Sequence, residues 1–175
     1  MNNRNTKQLV VDAMLIALLV VSSFISIPVN QIPYTLQTLA VFLILLITNL
    51  KNSFCIFTIY LLMGTIGLPV YSGFTSGITL TYGFIIGFVL SSLVFNIFKK
   101  IIIIKKDNIK LFILCFISCI IINISGSIFF MIYSDCDFIT ALLTCVLPFV
   151  LVDILKIIIA IIISKRINKI LLEEY

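Results

Sequence analysis

An all-α integral membrane protein, built as a six-transmembrane-helix bundle with both termini cytoplasmic, is the fold class this sequence predicts. Three observations predict it. The 175 residues are 62% hydrophobic and only 11% charged, where a soluble domain carries about 25% charged residues, and the mean hydropathy is +1.29. The hydrophobic residues fall into runs separated by short polar or basic connections, the pattern of helices that satisfy their own backbone in lipid. The basic residues also sort by side. With six crossings, Arg4, Lys7, Lys51, Lys99, Lys100, Lys105, Lys106, Lys110, Lys165, Arg166 and Lys169 share one face, while the opposite loops carry Asp135 and Asp137 and no Lys or Arg. The positive-inside rule makes the basic face cytoplasmic. One membrane-embedded domain over residues 1–175 follows.

The first apolar run, residues 9–27, is too long for the core of a signal peptide and has no small-x-small cleavage site after it, so it predicts an uncleaved first helix. It holds Ala13 and Ala17, two small residues one turn apart that leave a shallow groove for another helix, inside the bundle or on a partner. Asp12 falls at its start, where the helix dipole and the interface tolerate a carboxylate. Pro28-Val-Asn-Gln-Ile-Pro-Tyr-Thr35 predicts a turn or ordered loop. The second run, 36–47, begins with Gln37 and Thr38, and the third, 53–66, stops at Gly67-Leu-Pro69. Both are short for a span, so each is a short crossing or half of a re-entrant hairpin.

A Gly/Ser/Thr-rich loop over 67–79 follows and carries Tyr71 and Phe74, aromatics placed to close over a ligand or to anchor at the interface. The fourth run, 80–98, includes Tyr82, Gly83 and Gly87. Five lysines between Lys99 and Lys110 form a basic connection. The fifth run, 111–133, has Asn123, Ser125, Gly126 and Ser127 in its middle, and an acidic turn, Tyr133-Ser-Asp-Cys-Asp137, closes it. Pro148 splits the last apolar stretch. This predicts a short loop or surface helix over 138–147 and a final span from Pro148, since proline suits a helix's first turn.

That final span carries Asp153 and Lys156, opposite charges close together inside a long apolar run. Each charge costs roughly 2.5–3.5 kcal/mol at bilayer depth. At i and i+3 they share a helix face and can neutralise one another. Asp153 falls about 7–8 Å below the outer end of the span at 1.5 Å per residue. Two readings are open: a structural ion pair, or a polar ligand site in which a carboxylate accepts N–H groups and an ammonium meets a carbonyl or an anion. Six crossings bring the loop at 28–34, the Tyr71 loop and the outer end of the last helix to the same outer face, which favours the ligand site.

Composition excludes much else. There is no histidine, which removes His-based metal sites and every Ser/His or Cys/His catalytic pair. Cys55, Cys115, Cys119, Cys136 and Cys145 form no CxxC pair and read as small core hydrophobes. No GxxxxGK[S/T] phosphate loop is present, so the chain does not read as an ATPase. The net charge of +5 is spent on topology, and no nucleic acid partner, metal or cofactor is implied.

Three ordered stretches carry a resemblance: Ile32-Pro-Tyr-Thr-Leu-Gln-Thr-Leu-Ala-Val41, Tyr60-Leu-Leu-Met-Gly-Thr-Ile-Gly-Leu-Pro-Val70, and Pro148-Phe-x-x-x-Asp153-x-x-Lys156. Together they resemble the signatures of the biotin-specific S components, the BioY family, of energy-coupling factor (ECF) transporters. The chain departs from that pattern at Val152, where the family usually has glycine, and at Tyr82, which stands for a glycine in the fourth-helix start. The resemblance implies a six-helix bundle that binds biotin near the outer face of the cell membrane and works with a transmembrane coupling protein and two cytoplasmic ATPases. It implies that Asp153 and Lys156 are biotin-site residues and that Ala13 and Ala17 meet the coupling protein. Tyr34, Gln37, Tyr71, Phe74, Tyr82 and Asn123 complete the candidate ligand-binding set. The alternatives are an S component or solitary transporter for another small vitamin, and a small intramembrane enzyme using Asp153. One carboxylate beside one lysine, with no second catalytic group, is a poor set for hydrolysis.

Overall fold

The hydrophobic runs become helices that bury one another's apolar faces. The computed structural model describes residues 3–28, 32–104 and 106–173. Val29, Asn30, Gln31 and Lys105, named above, lie outside the described residues. Among the described residues there are seven α-helices: α1 (Asn3–Phe24), α2 (Gln37–Ile47), α3 (Leu50–Thr65), α4 (Tyr82–Ile101), α5 (Asp107–Ser134), α6 (Phe138–Cys145) and α7 (Val150–Glu173). Three of them are long and apolar enough to cross a membrane: α1 over Thr6–Phe24, α4 and α5. The α6–α7 pair passes the same test as one broken span, bent by 50°. Helix α2 is apolar but shorter. The chain is a multi-pass membrane protein. The expected short helix before Pro148 is α6, the seventh helix beside six expected spans.

Helix ends follow local chemistry. Helix α3 stops where Gly67 takes φ +104°, and the amide of Leu68 reaches back to the carbonyl of Met63 at 3.1 Å, a glycine-terminated cap of the usual kind. Asp135 ends α5 in the left-handed region at φ 50°, ψ 47°, a conformation that aspartate accepts better than most residues. Asp137 starts α6. Its carboxylate accepts the Thr140 amide at 3.2 Å and the Thr140 hydroxyl at 2.6 Å, and these bonds, the hydroxyl's first, hold its carboxyl below the ordinary carboxylate range. Helix α1 ends three residues before the first apolar run does. Ser26–Ile27 (β1) leaves it to pair antiparallel with Tyr34–Thr35 (β2), Ser26 opposite Thr35 and Ile27 opposite Tyr34.

The packing pairs close a ring: α1 on α3, α3 on α4, α4 on α5, α5 on α7, α7 on α2, and α2 on α1, with α6 against α5. The tightest contact, α4 with α5, depends on missing side chains. A Cβ at Gly87 would stand 2.8 Å from the Cα of Ile122, and one at Gly83 would overlap Phe129, so these glycines let the two backbones approach. The Ser125 hydroxyl then donates to the carbonyl of Gly83 at 2.8 Å. The core runs through α2, where Ala40 to Leu46 are all buried, and continues into Ile56, Phe57, Phe88, Phe95, Leu114 and Ile157.

Candidate functional site

Two charges cannot sit in an apolar bundle without partners, and the fold supplies them from α2 and α5. Asp153 is 4% and Lys156 6% exposed. The Lys156 ammonium donates to the carbonyl of Thr35 at 2.8 Å, to the hydroxyl of Thr38 at 2.9 Å and to Asp153 Oδ1 at 3.4 Å. The Thr38 hydroxyl stands 3.2 Å from the same Oδ1. Helix α7 thus brings the pair to the N-terminal end of α2. There the chain leaves its two-residue strand, and the Gln37 amide is met by the Thr35 hydroxyl at 3.3 Å.

The pair opens onto a cleft of about 500 Å³ with its open mouth included. It is lined by Thr35, Gln37 and Thr38, by Thr81, Phe84 and Phe88 of the α4 region, and by Asn123 of α5. Ile32, Pro33, Ser72 and Phe149 close the remaining sides. The Ser72 hydroxyl is buried with no hydrogen-bond partner. The arrangement offers a carboxylate, an ammonium, hydroxyls and two amides against three phenylalanine rings. That suits a small ligand with N–H donors, a carbonyl or carboxylate, and an apolar body.

The structure brings together Asp153, Lys156, Gln37 and Asn123 in this cleft. Gln37 is held from behind, donating to the Tyr60 hydroxyl at 2.6 Å, while Tyr60 donates to the carbonyl of Val70 at 2.8 Å. Tyr34 does not line the cleft and stands behind Phe149, which does. Its hydroxyl donates to the carbonyl of Pro148 at 2.8 Å, and its ring stacks on Phe149 at 4.3 Å. Three other candidates are placed away from the cleft. Tyr71 is fully buried against Gly64 and donates to the carbonyl of Leu61 at 2.8 Å. Phe74 is 67% exposed and stacks on Phe24 of α1 at 4.2 Å. Tyr82 packs on Phe129 and reaches Thr65 at 3.2 Å. Val152 is 36% exposed and is not part of the cleft wall. The sequence reading missed Thr35, Thr38, Ser72, Thr81, Phe84, Phe88 and Phe149, of which Thr38 makes the most direct contact with the charges.

A second cavity, about 510 Å³ with its mouth, lies between α5, α6 and α7. Its lining is apolar (Phe116, Ile120, Leu142, Val146, Ile154) except where Cys119, Asn123 and Asp153 face it. Cys119 is one of five free cysteines, and unlike a plain core hydrophobe it hydrogen-bonds Asp153 Oδ2 at 3.5 Å. Ala13 and Ala17, both exposed, lie on one face of α1. Asp12 on that helix accepts from Gln8 at 3.1 Å and from Asn52 of α3 at 3.4 Å.

Known proteins share this architecture. A crystallised S-component for biotin from an ECF-type ABC transporter superposes with a TM-score of 0.87 at 23% identity, covering 97% of this chain and 94% of that one. The biotin transporter BioY2 of Lactococcus lactis subsp. cremoris is 33% identical over 144 residues, 81% of this chain and 79% of its own length. The biotin transporter BioY of Thermotoga maritima is 33% identical over 106 residues, 58% of this chain and 60% of its own length. The model of the BioY family matches residues 1–173. Matched along almost its whole length, the chain belongs to the BioY family.

Proposed function

We propose that this chain is the biotin-capture subunit of an ECF-type vitamin uptake transporter. The observation that carries the reading is the buried Asp153–Lys156 pair lining a cleft whose other walls include phenylalanine rings. Biotin's ureido ring presents two N–H donors and a carbonyl, its bicycle is apolar, and its chain ends in a carboxylate. Asp153 and Lys156 supply an acceptor and a cation for the polar groups. Gln37 and Asn123 supply amides, Phe84, Phe88 and Phe149 take the bicycle, and Tyr34 holds Phe149 in place from behind. Tyr71, Phe74 and Tyr82 serve as the scaffold of the surrounding loop and helices.

In this reading residues 1–175 form one membrane-embedded domain in the cell membrane. Helices α1 to α5 and α7 make six crossings, α6 lies at the outer face, and both termini are cytoplasmic, as the positive-inside rule requires. The cleft then faces outward. Helix α1 meets the transmembrane coupling protein along Ala13 and Ala17, and two cytoplasmic ATPases energise the release of biotin inward.

Calorimetry of biotin binding to the detergent-purified chain tests the proposal. Wild type binds, and Asp153→Asn and Lys156→Ala do not while remaining folded. A folded wild type that takes up no biotin refutes the ligand assignment. Binding that survives both changes refutes the site.

A further inference from the structure

Asp153 stands between the two cavities, and its two oxygens are held differently. Oδ1 faces α2, with the Thr38 hydroxyl at 3.2 Å and the Lys156 ammonium at 3.4 Å. Oδ2 faces α5, where the Cys119 thiol lies 3.5 Å away, and the Asn123 amide donates in turn to the Cys119 sulfur at 3.3 Å. Cys119 and Asn123 are one turn apart on α5, and each is 8% exposed.

A carboxylate turns about a broad, roughly two-fold torsion. Anchored through Oδ1 alone, it can present its other oxygen to either cavity. Cys119 lines the second cavity and not the cleft, so its thiol holds Oδ2 on the α5 side, away from α2. The thiol thereby leaves Oδ1 on the cleft side, with Thr38 and Lys156. It is a weak donor, so it fixes the plane of the carboxylate while leaving Asp153 acceptor capacity for a stronger donor in the cleft.

We infer that Cys119 is a positioning residue for ligand capture: with Asn123 behind it, its thiol pins Asp153 Oδ2 and so keeps Oδ1 turned to the cleft beside Thr38 and Lys156. The inference rests on the biotin reading for its ligand, though not for the contact itself. Two measurements on the detergent-purified full chain test it. In the first, biotin affinity is compared between wild type, Cys119→Val, which removes the donor and adds about one methyl group, and Cys119→Ser, which keeps a donor. Cys119→Val weakens binding about tenfold or more, and Cys119→Ser restores it to within about threefold. In the second, the S–H stretching band of Cys119, assigned by its disappearance in Cys119→Val, is recorded without ligand. It moves to higher frequency in Asp153→Asn, as a thiol does when its acceptor weakens.

Wild-type affinity in Cys119→Val overturns the inference. So does equal weakening by valine and serine, which would mark a packing role, and so does an S–H band that ignores Asp153→Asn. If wild type binds no biotin, the biotin reading falls, and the infrared band alone decides whether the thiol holds the carboxylate.

Discussion

Tyr34 donates its hydroxyl to the carbonyl of Pro148 at 2.8 Å, joining residues 114 apart in sequence. The bond clips the strand before α2 onto the turn before α7, the two segments that carry Thr38 and Asp153 into contact. Tyr34→Phe keeps the stack on Phe149 and loses the bond. It should lower stability by about 1 kcal/mol, read as a drop in thermal midpoint in detergent, and weaken biotin binding by several-fold. An unchanged affinity would separate the clip from the site.

The Asp153–Lys156 pair makes a sharper prediction. Lys156→Met leaves a buried carboxylate without its cation, which costs about 3–5 kcal/mol. The double variant Lys156→Met/Asp153→Leu removes both charges and should regain most of that stability. Neither variant should bind biotin. Thermal unfolding and calorimetry on the two proteins decide it. A double variant no more stable than the single one would mean that the lysine's bond to the Thr35 carbonyl, and not the ion pair, dominates.

Gly87→Ala should destabilise the bundle by about 1–3 kcal/mol through overpacking. The added methyl would meet the Cα of Ile122 at 2.8 Å and the Cβ of Ser125 at 3.3 Å, so α4 and α5 must part. Loss of monodispersity in size-exclusion chromatography and a lowered thermal midpoint are the readouts.

Ala13→Leu/Ala17→Leu should leave stability within about 0.5 kcal/mol, because both positions are exposed, and should leave biotin binding intact. Co-purification of the coupling protein and ATPases should be lost. Undiminished co-purification would remove α1 from the docking face.

How much of this was legible beforehand depends on how rare each residue is in its setting. Asp153 and Lys156 could be read because charges inside an apolar run are costly and uncommon. Gln37 and Asn123 stood out as amides for the same reason. Pro148 announced the break between α6 and α7. Thr38, Thr81, Phe84 and Phe88 gave no signal, since hydroxyls and phenylalanines are ordinary in membrane helices, and only the α2–α7 and α4–α5 packing brings them to the cleft. Tyr71 and Phe74 sit on a loop that reads as a lid. The space left by Gly64 takes the Tyr71 ring, and the exposed face of Phe24 takes Phe74. Neither relationship is local in sequence. Cys119 was hidden by its class, because a thiol among apolar neighbours reads as packing until its acceptor is located.

The brevity of α2 has a consequence for where the site can exist at all. Eleven residues make a rod of about 16 Å, roughly half the thickness of the hydrocarbon layer. A surface helix so short would thin the lipid around it. Helix α2 is enclosed by its neighbours and escapes that penalty, so the missing length appears as interior room above Gln37 and Thr38. Gln37 and Thr38, in the first turn of α2, line the cleft. Two extra turns at the start of α2 would abolish the site while leaving every polar residue of α5 and α7 in place.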